Sequence, residues 1–61
     1  MEIGKERYGF FKTRYFIKVD NYITYYYDKY FFIKAIITNI KELDLGIIDE
    51  LELAEKANKI L

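Results

Sequence analysis

The fold turns on residues 22–37, YITYYYDKYFFIKAII. Aromatic and β-branched residues dominate this stretch, and they favour strands. Ile23, Tyr25 and Tyr27 alternate with Tyr22, Thr24 and Tyr26. Past Asp28-Lys29, a weak turn signal, Phe31, Ile33, Ala35 and Ile37 alternate with Tyr30, Phe32, Lys34 and Ile36. The pattern predicts strands over 22–28 and 30–37. Upstream, residues 8–19 alternate as well, with Phe11, Thr13, Tyr15, Ile17 and Val19 opposite Phe10, Lys12, Arg14, Phe16 and Lys18. Asp20-Asn21 separates this strand from the next, because both residues tolerate left-handed backbone. The expected sheet is a three-stranded antiparallel meander over about residues 8–37.

The loop at Asp20-Asn21 sets the register of the second strand. A two-residue loop pairs Val19 with Tyr22 and Ile17 with Thr24, which places Ile23 beside Lys18. A three-residue loop pairs Val19 with Ile23 and separates apolar from polar side chains better. Register follows the buried face, so the three-residue loop is preferred.

Beyond Ile37 the period changes. Asn39-Ile40-Lys41-Glu42 fits a capping box with Asn39 as N-cap, and Gly46 reads as a helix stop, giving a short turn or helix at about 40–45. A separate helix, a strand or part of one long helix all remain open for residues 40–48. Asp49-Glu50-Leu51-Glu52 is a second capping box, with Ile48 and Leu53 at the positions of a hydrophobic staple. Leu53, Ala54, Ala57, Ile60 and Leu61 then form an apolar stripe, and Glu52–Lys56 and Glu55–Lys59 are favourably ordered i,i+4 pairs. A helix is expected over about 50–60. The fold class is therefore α+β, a single domain over residues 1–61 with the C-terminal helix packed on one face of the meander.

A domain of this length buries only about 60% of the surface its unfolded chain exposes. Cysteine and histidine are both absent, so neither disulfides nor the usual zinc ligands can staple it. Stability must come from an apolar core (52% of residues are hydrophobic, 20% aromatic) or from association. Net charge is zero but uneven. Residues 1–34 carry seven basic and four acidic side chains, and residues 35–61 carry three basic and six acidic. Glu2, Lys5, Glu6 and Arg7 interrupt the N-terminus, and the longest uncharged run is Asn21–Tyr27. Neither a targeting segment nor a membrane span is expected, and the cytoplasm is the expected location. The heavy use of Ile, Lys, Tyr, Phe and Asn suggests an A/T-rich genome, bacterial, archaeal or viral.

Serine is absent along with cysteine and histidine, which removes the usual nucleophiles and the neutral-pH general base. Asp44, Asp49 and Glu50 match no calcium-loop spacing, and Gly4, Gly9 and Gly46 are too scattered for a phosphate loop. No enzymatic activity, cofactor or metal is expected.

One helix covers one face of a three-stranded sheet, and the other face should then be polar. Here it is expected to carry Phe10, Phe16, Tyr22, Tyr26, Tyr30, Phe32 and Ile36 among Lys12, Arg14, Lys18 and Lys34. A slip in the second strand would exchange Tyr22, Thr24 and Tyr26 for Ile23, Tyr25 and Tyr27 and leave the face aromatic. Apolar patches of this size mark interaction sites, and Tyr, Phe and Arg are typical interface anchors. The expected partner-binding residues are Phe10, Lys12, Arg14, Phe16, Lys18, Tyr22, Tyr26, Tyr30, Phe32 and Lys34. A protein-binding module follows, an inhibitor or adaptor docking on a host protein, with homodimerisation expected. Single-stranded nucleic acid stacked on the same rings is one alternative. A structural homodimer that simply hides the face is another.

The aromatic Tyr25-Tyr26-Tyr27-Asp28, the capped turn at Thr38-Asn39 and the helix opening at Asp49-Glu50 carry a resemblance over residues 20–61. The arrangement resembles the small uracil-DNA glycosylase inhibitors of bacteriophages. The resemblance implies a phage- or mobile-element-encoded inhibitor. Those inhibitors mimic DNA and are acidic whereas this sheet is basic, so no functional residue is carried over.

Overall fold

The computed structural model describes residues 1–44 and 46–61; part of the 40–45 element expected above, Leu45, lies outside the described residues. The chain forms β1 (Glu2–Tyr8), β2 (Lys12–Val19), β3 (Tyr22–Tyr26), α1 (Lys29–Leu43) and α2 (Ile47–Ile60). The sheet is an antiparallel three-stranded meander in the order β1-β2-β3. The α+β class, the meander and a C-terminal helix packed on the sheet are as expected. The strands that make the meander differ.

The extra strand lies at the N-terminus. In β1 only Ile3 is buried, while Lys5 and Arg7 share its face. Charged residues suit a strand at a sheet edge, where they discourage pairing with other chains. The same charges conceal the strand in the sequence. Tyr8 pairs with Lys12 across a tip made of Gly9, Phe10 and Phe11, with Gly9 and Phe11 both at φ 61°.

Residues 30–37, expected as a strand, are helical. Phe32, Ile36 and Ile40 recur every fourth residue and point at the sheet, with Ala35 beside them. The real N-cap is Asp28, whose Oδ1 accepts from the backbone N–H groups of Tyr30 at 2.8 Å and Phe31 at 3.3 Å. These satisfy donors that every helix start leaves unpaired. Asn39, expected as an N-cap, sits inside α1 and donates through Nδ2 to the Ala35 carbonyl at 2.8 Å. Helix α1 ends at Asp44, which adopts the left-handed conformation (φ 50°, ψ 50°). Gly46 is not a stop but the N-cap of α2, which begins at Ile47 with Asp49 and Glu50 in its first turn. Acidic side chains there complement the helix dipole.

The register of β3 also corrects the expectation. Val19 pairs with Tyr22, Lys18 with Ile23 and Ile17 with Thr24, so the loop is the two-residue one. Asp20 takes the left-handed backbone in it (φ 54°). Tyr22, Thr24 and Tyr26 therefore share the helix-side face with Val19, Ile17 and Tyr15. Ile23 and Tyr25 face the other way.

Both helices lie on one side of the sheet, α1 over β2 and β3 and α2 over β1. The core between them consists of Ile3, Tyr15, Ile17, Phe32, Ile36 and Leu53. Phe32, with no exposed surface, stacks on Tyr15 (centroids 4.9 Å apart, planes at 20°) and is tilted against Tyr26 at 6.2 Å. Between the helices the layer is open, leaving an apolar groove lined by Ile33, Ile37 and Ile40 of α1, Ala54 and Ala57 of α2, and Leu61, which caps α2. No helix among the described residues is long and apolar enough to cross a membrane.

Candidate interaction surface

With both helices on one side, no element among the described residues covers the opposite face of the sheet. Strand alternation puts Glu2, Gly4, Glu6 and Tyr8 of β1 on this outer face, beside Lys18, Phe16, Arg14 and Lys12 of β2. Ile23 and Tyr25 of β3 complete it. Of the residues expected there, Lys12, Arg14, Phe16 and Lys18 occupy the outer face. Phe10 stands at the hairpin tip, 90% exposed, next to Phe11 at 95%.

The remaining expected residues lie elsewhere. Phe32 is the centre of the core. Tyr26 is half-buried on the inner face against it. Tyr22 is on the inner face too, exposed where the helices do not reach. Tyr30 and Lys34 ride on α1, Tyr30 in edge-to-face contact with Phe31 at 5.7 Å. Their displacement follows from the two corrections above, the helical 30–37 segment and the two-residue loop. Sequence reasoning left out Tyr8, Ile23, Tyr25 and Tyr27. The two-residue loop is the signal for Ile23 and Tyr25; Tyr8 has none, because the charges of β1 hide the strand that carries it.

Arg14 organises the face. Its Nε donates to Glu6 Oε1 at 2.7 Å and Nη2 pairs with the same oxygen. Its Nη1 donates to the Tyr27 hydroxyl at 3.4 Å. The guanidinium lies 3.8 Å from the centroid of Tyr25 and 5.7 Å from that of Tyr8. Such stacking suits a planar, delocalised cation. The Tyr27 hydroxyl, then Glu6, raise the guanidinium pKa above its ordinary value, with partial desolvation opposing them. Like any guanidinium, Arg14 is a fixed cation.

The surrounding rings are fixed by one another. Tyr8 at the end of β1 and Tyr27 just after β3 meet edge to face at 5.3 Å although β1 and β3 flank β2 from opposite sides. Lys12 Nζ sits 6.0 Å from the Tyr8 ring. At the centre of the face Phe16 lies across Gly4. The result is a preorganised aromatic plate with one embedded cation and solvated lysines at its ends. Its charges nearly cancel, Lys12, Arg14 and Lys18 against Glu2 and Glu6.

Among the described residues no three acidic side chains converge as a metal site. No family model, curated protein or solved structure matches this chain.

Proposed function

We propose that this chain is a non-catalytic protein-binding module that docks through the outer sheet face. The observation that carries the reading is the Arg14 cluster, in which a guanidinium is stacked on Tyr25 and held by Glu6 and Tyr27. Arginine and tyrosine supply a disproportionate share of interface energy, and rigid side chains lose little entropy on binding. Phe16, Ile23 and the exposed tip residues Phe10 and Phe11 add apolar area around this cluster. An inhibitor or adaptor acting on a host protein is the concrete form of the reading. The near-neutral face favours a protein partner over nucleic acid, which binds chiefly by neutralising phosphates.

The test is capture by the immobilised chain of one stoichiometric protein partner. Binding should disappear in Tyr25→Glu and Lys12→Glu variants whose circular dichroism matches the parent. Capture unaffected by both substitutions would overturn the proposal. So would a gel shift of single-stranded RNA or DNA at low salt that fades as salt rises, which would assign the face to nucleic acid instead.

A further inference from the structure

We infer that the groove between α1 and α2 is closed by a second copy of this chain, leaving the outer sheet face free. A chain of 7.4 kDa exposes 4963 Å². A folded monomer of that mass is expected to expose only about 4,200 Å². The excess, roughly 750 Å², is close to the ~800 Å² that each partner contributes to a standard interface. The molecule is correspondingly thin, with extents of 38 × 23 × 16 Å.

Uncovered apolar surface also lies on the helix layer. Ile33 is 40% exposed, Ile37 51% and Leu61 40%, all lining the groove, and Leu51 on α2 is 63% exposed. Each of these side chains keeps apolar surface in water that a covering partner would remove. The helices also differ in charge. Between its acidic caps Asp28 and Asp44, α1 carries Lys29, Lys34 and Lys41 against Glu42, for a net +2; in α2, Asp49, Glu50, Glu52 and Glu55 oppose Lys56 and Lys59, for a net −2. A two-fold axis through the groove lays α1 of each copy against α2 of the other. That pairs opposite charges twice in one self-complementary contact. No foreign partner is required, because the chain supplies both halves.

Sedimentation equilibrium of the full chain tests this. The expected mass is twice 7.4 kDa. Ile37→Glu and Ala54→Glu, each changing an exposed position, should give folded monomers. Tyr25→Glu, on the sheet, should leave the dimer intact. A dimer that survives both groove substitutions, or one that Tyr25→Glu dissolves, overturns the inference, as does a parent that stays monomeric at millimolar concentration. A measurement without variants is a mixed sample of isotope-labelled and unlabelled chain. Intermolecular contacts between the Ile37 and Leu61 methyl groups are expected, and a dimer without them also overturns it. Partner capture by the sheet is read separately, so the two proposals stand or fall independently.

Discussion

The Phe16 ring lies directly over Gly4 on the neighbouring strand, so near that a Cβ at position 4 would clash with Phe16 Cζ. An aromatic side chain folded over a cross-strand glycine shields the bare backbone and fixes the ring. Gly4 also takes part in the first register pairs of β1, opposite Phe16 itself. The pair thus links a sequence choice in a weak edge strand to the geometry of the interaction surface.

Gly4→Ala should displace the Phe16 ring. Relieving the clash costs about 1–3 kcal/mol, offset by about 0.5–1 kcal/mol because alanine is the better strand residue. A net loss of about 1 kcal/mol is expected in thermal or urea unfolding. In a Phe16→Ala background the clash is gone and only the backbone term survives. There the same substitution should be neutral or stabilising. Equal losses in both backgrounds would mean that Phe16 does not rest on Gly4.

Adjacent phenylalanines on α1 should behave oppositely. Phe32 has no exposed surface, whereas Phe31 is 60% exposed. Phe32→Ala should cost about 3–5 kcal/mol, comparable to the whole stability of a domain of this size. The variant is expected to be unfolded by circular dichroism at room temperature. Phe31→Ala should change stability by less than about 1 kcal/mol. Comparable losses at both positions would be incompatible with the helical facing of residues 29–43.

These two phenylalanines also show where the sequence was ambiguous. A stretch such as 30–37, seven apolar residues interrupted by Lys34 and rich in aromatic and β-branched types, fits a strand and a buried helix equally by composition. The four-residue spacing of Phe32, Ile36 and Ile40 distinguishes them, provided Ile40 is kept with the run. With Asn39 read as a cap, that series stops at Ile36. Helix propensity is overridden here by burial against Tyr15 and Tyr26. The central strand was legible because Tyr15 and Ile17 alternate with Arg14 and Phe16 whichever neighbours they find. β1 was not, since its inward face holds Lys5 and Arg7. Lys12, Arg14, Phe16 and Lys18 lie on the outer face, as expected, because they belong to that central strand. Tyr22 and Tyr26 were misplaced by a single residue of loop length.

The hairpin tip carries a backbone cost. Phe11 adopts φ 61° with its side chain 95% exposed. Left-handed backbone costs a non-glycine residue about 1–2 kcal/mol, and no burial of the ring compensates. Phe11→Gly should therefore stabilise the chain, by about 0.5–1 kcal/mol after the larger entropy of unfolded glycine is subtracted. The melting temperature should rise by a few degrees, about 4–8 °C per kcal/mol for a domain this small. If the tip helps to hold the partner, the same substitution should weaken capture while raising stability. A fall in both would place Phe11 in the fold rather than at the interface.

The two candidate caps of α1 make the sharpest comparison. Asp28 accepts two backbone N–H bonds at the helix start, so Asp28→Ala removes the partner of both donors. A loss of about 1 kcal/mol is expected, within the 0.5–2 kcal/mol range for N-cap deletion. Asn39 lies mid-helix, where its amide bonds back to the Ala35 carbonyl. That carbonyl already has its place in the helical ladder, and alanine is the better helix former by about 0.6 kcal/mol. Asn39→Ala should be neutral or slightly stabilising. Were residue 39 a true N-cap, with a strand before it, the two results would be reversed: Asn39→Ala would cost about 1 kcal/mol and Asp28→Ala almost nothing. Chemical denaturation of the two variants side by side thus decides where the helix begins, and with it whether Tyr30, Phe32 and Lys34 belong to a sheet face at all.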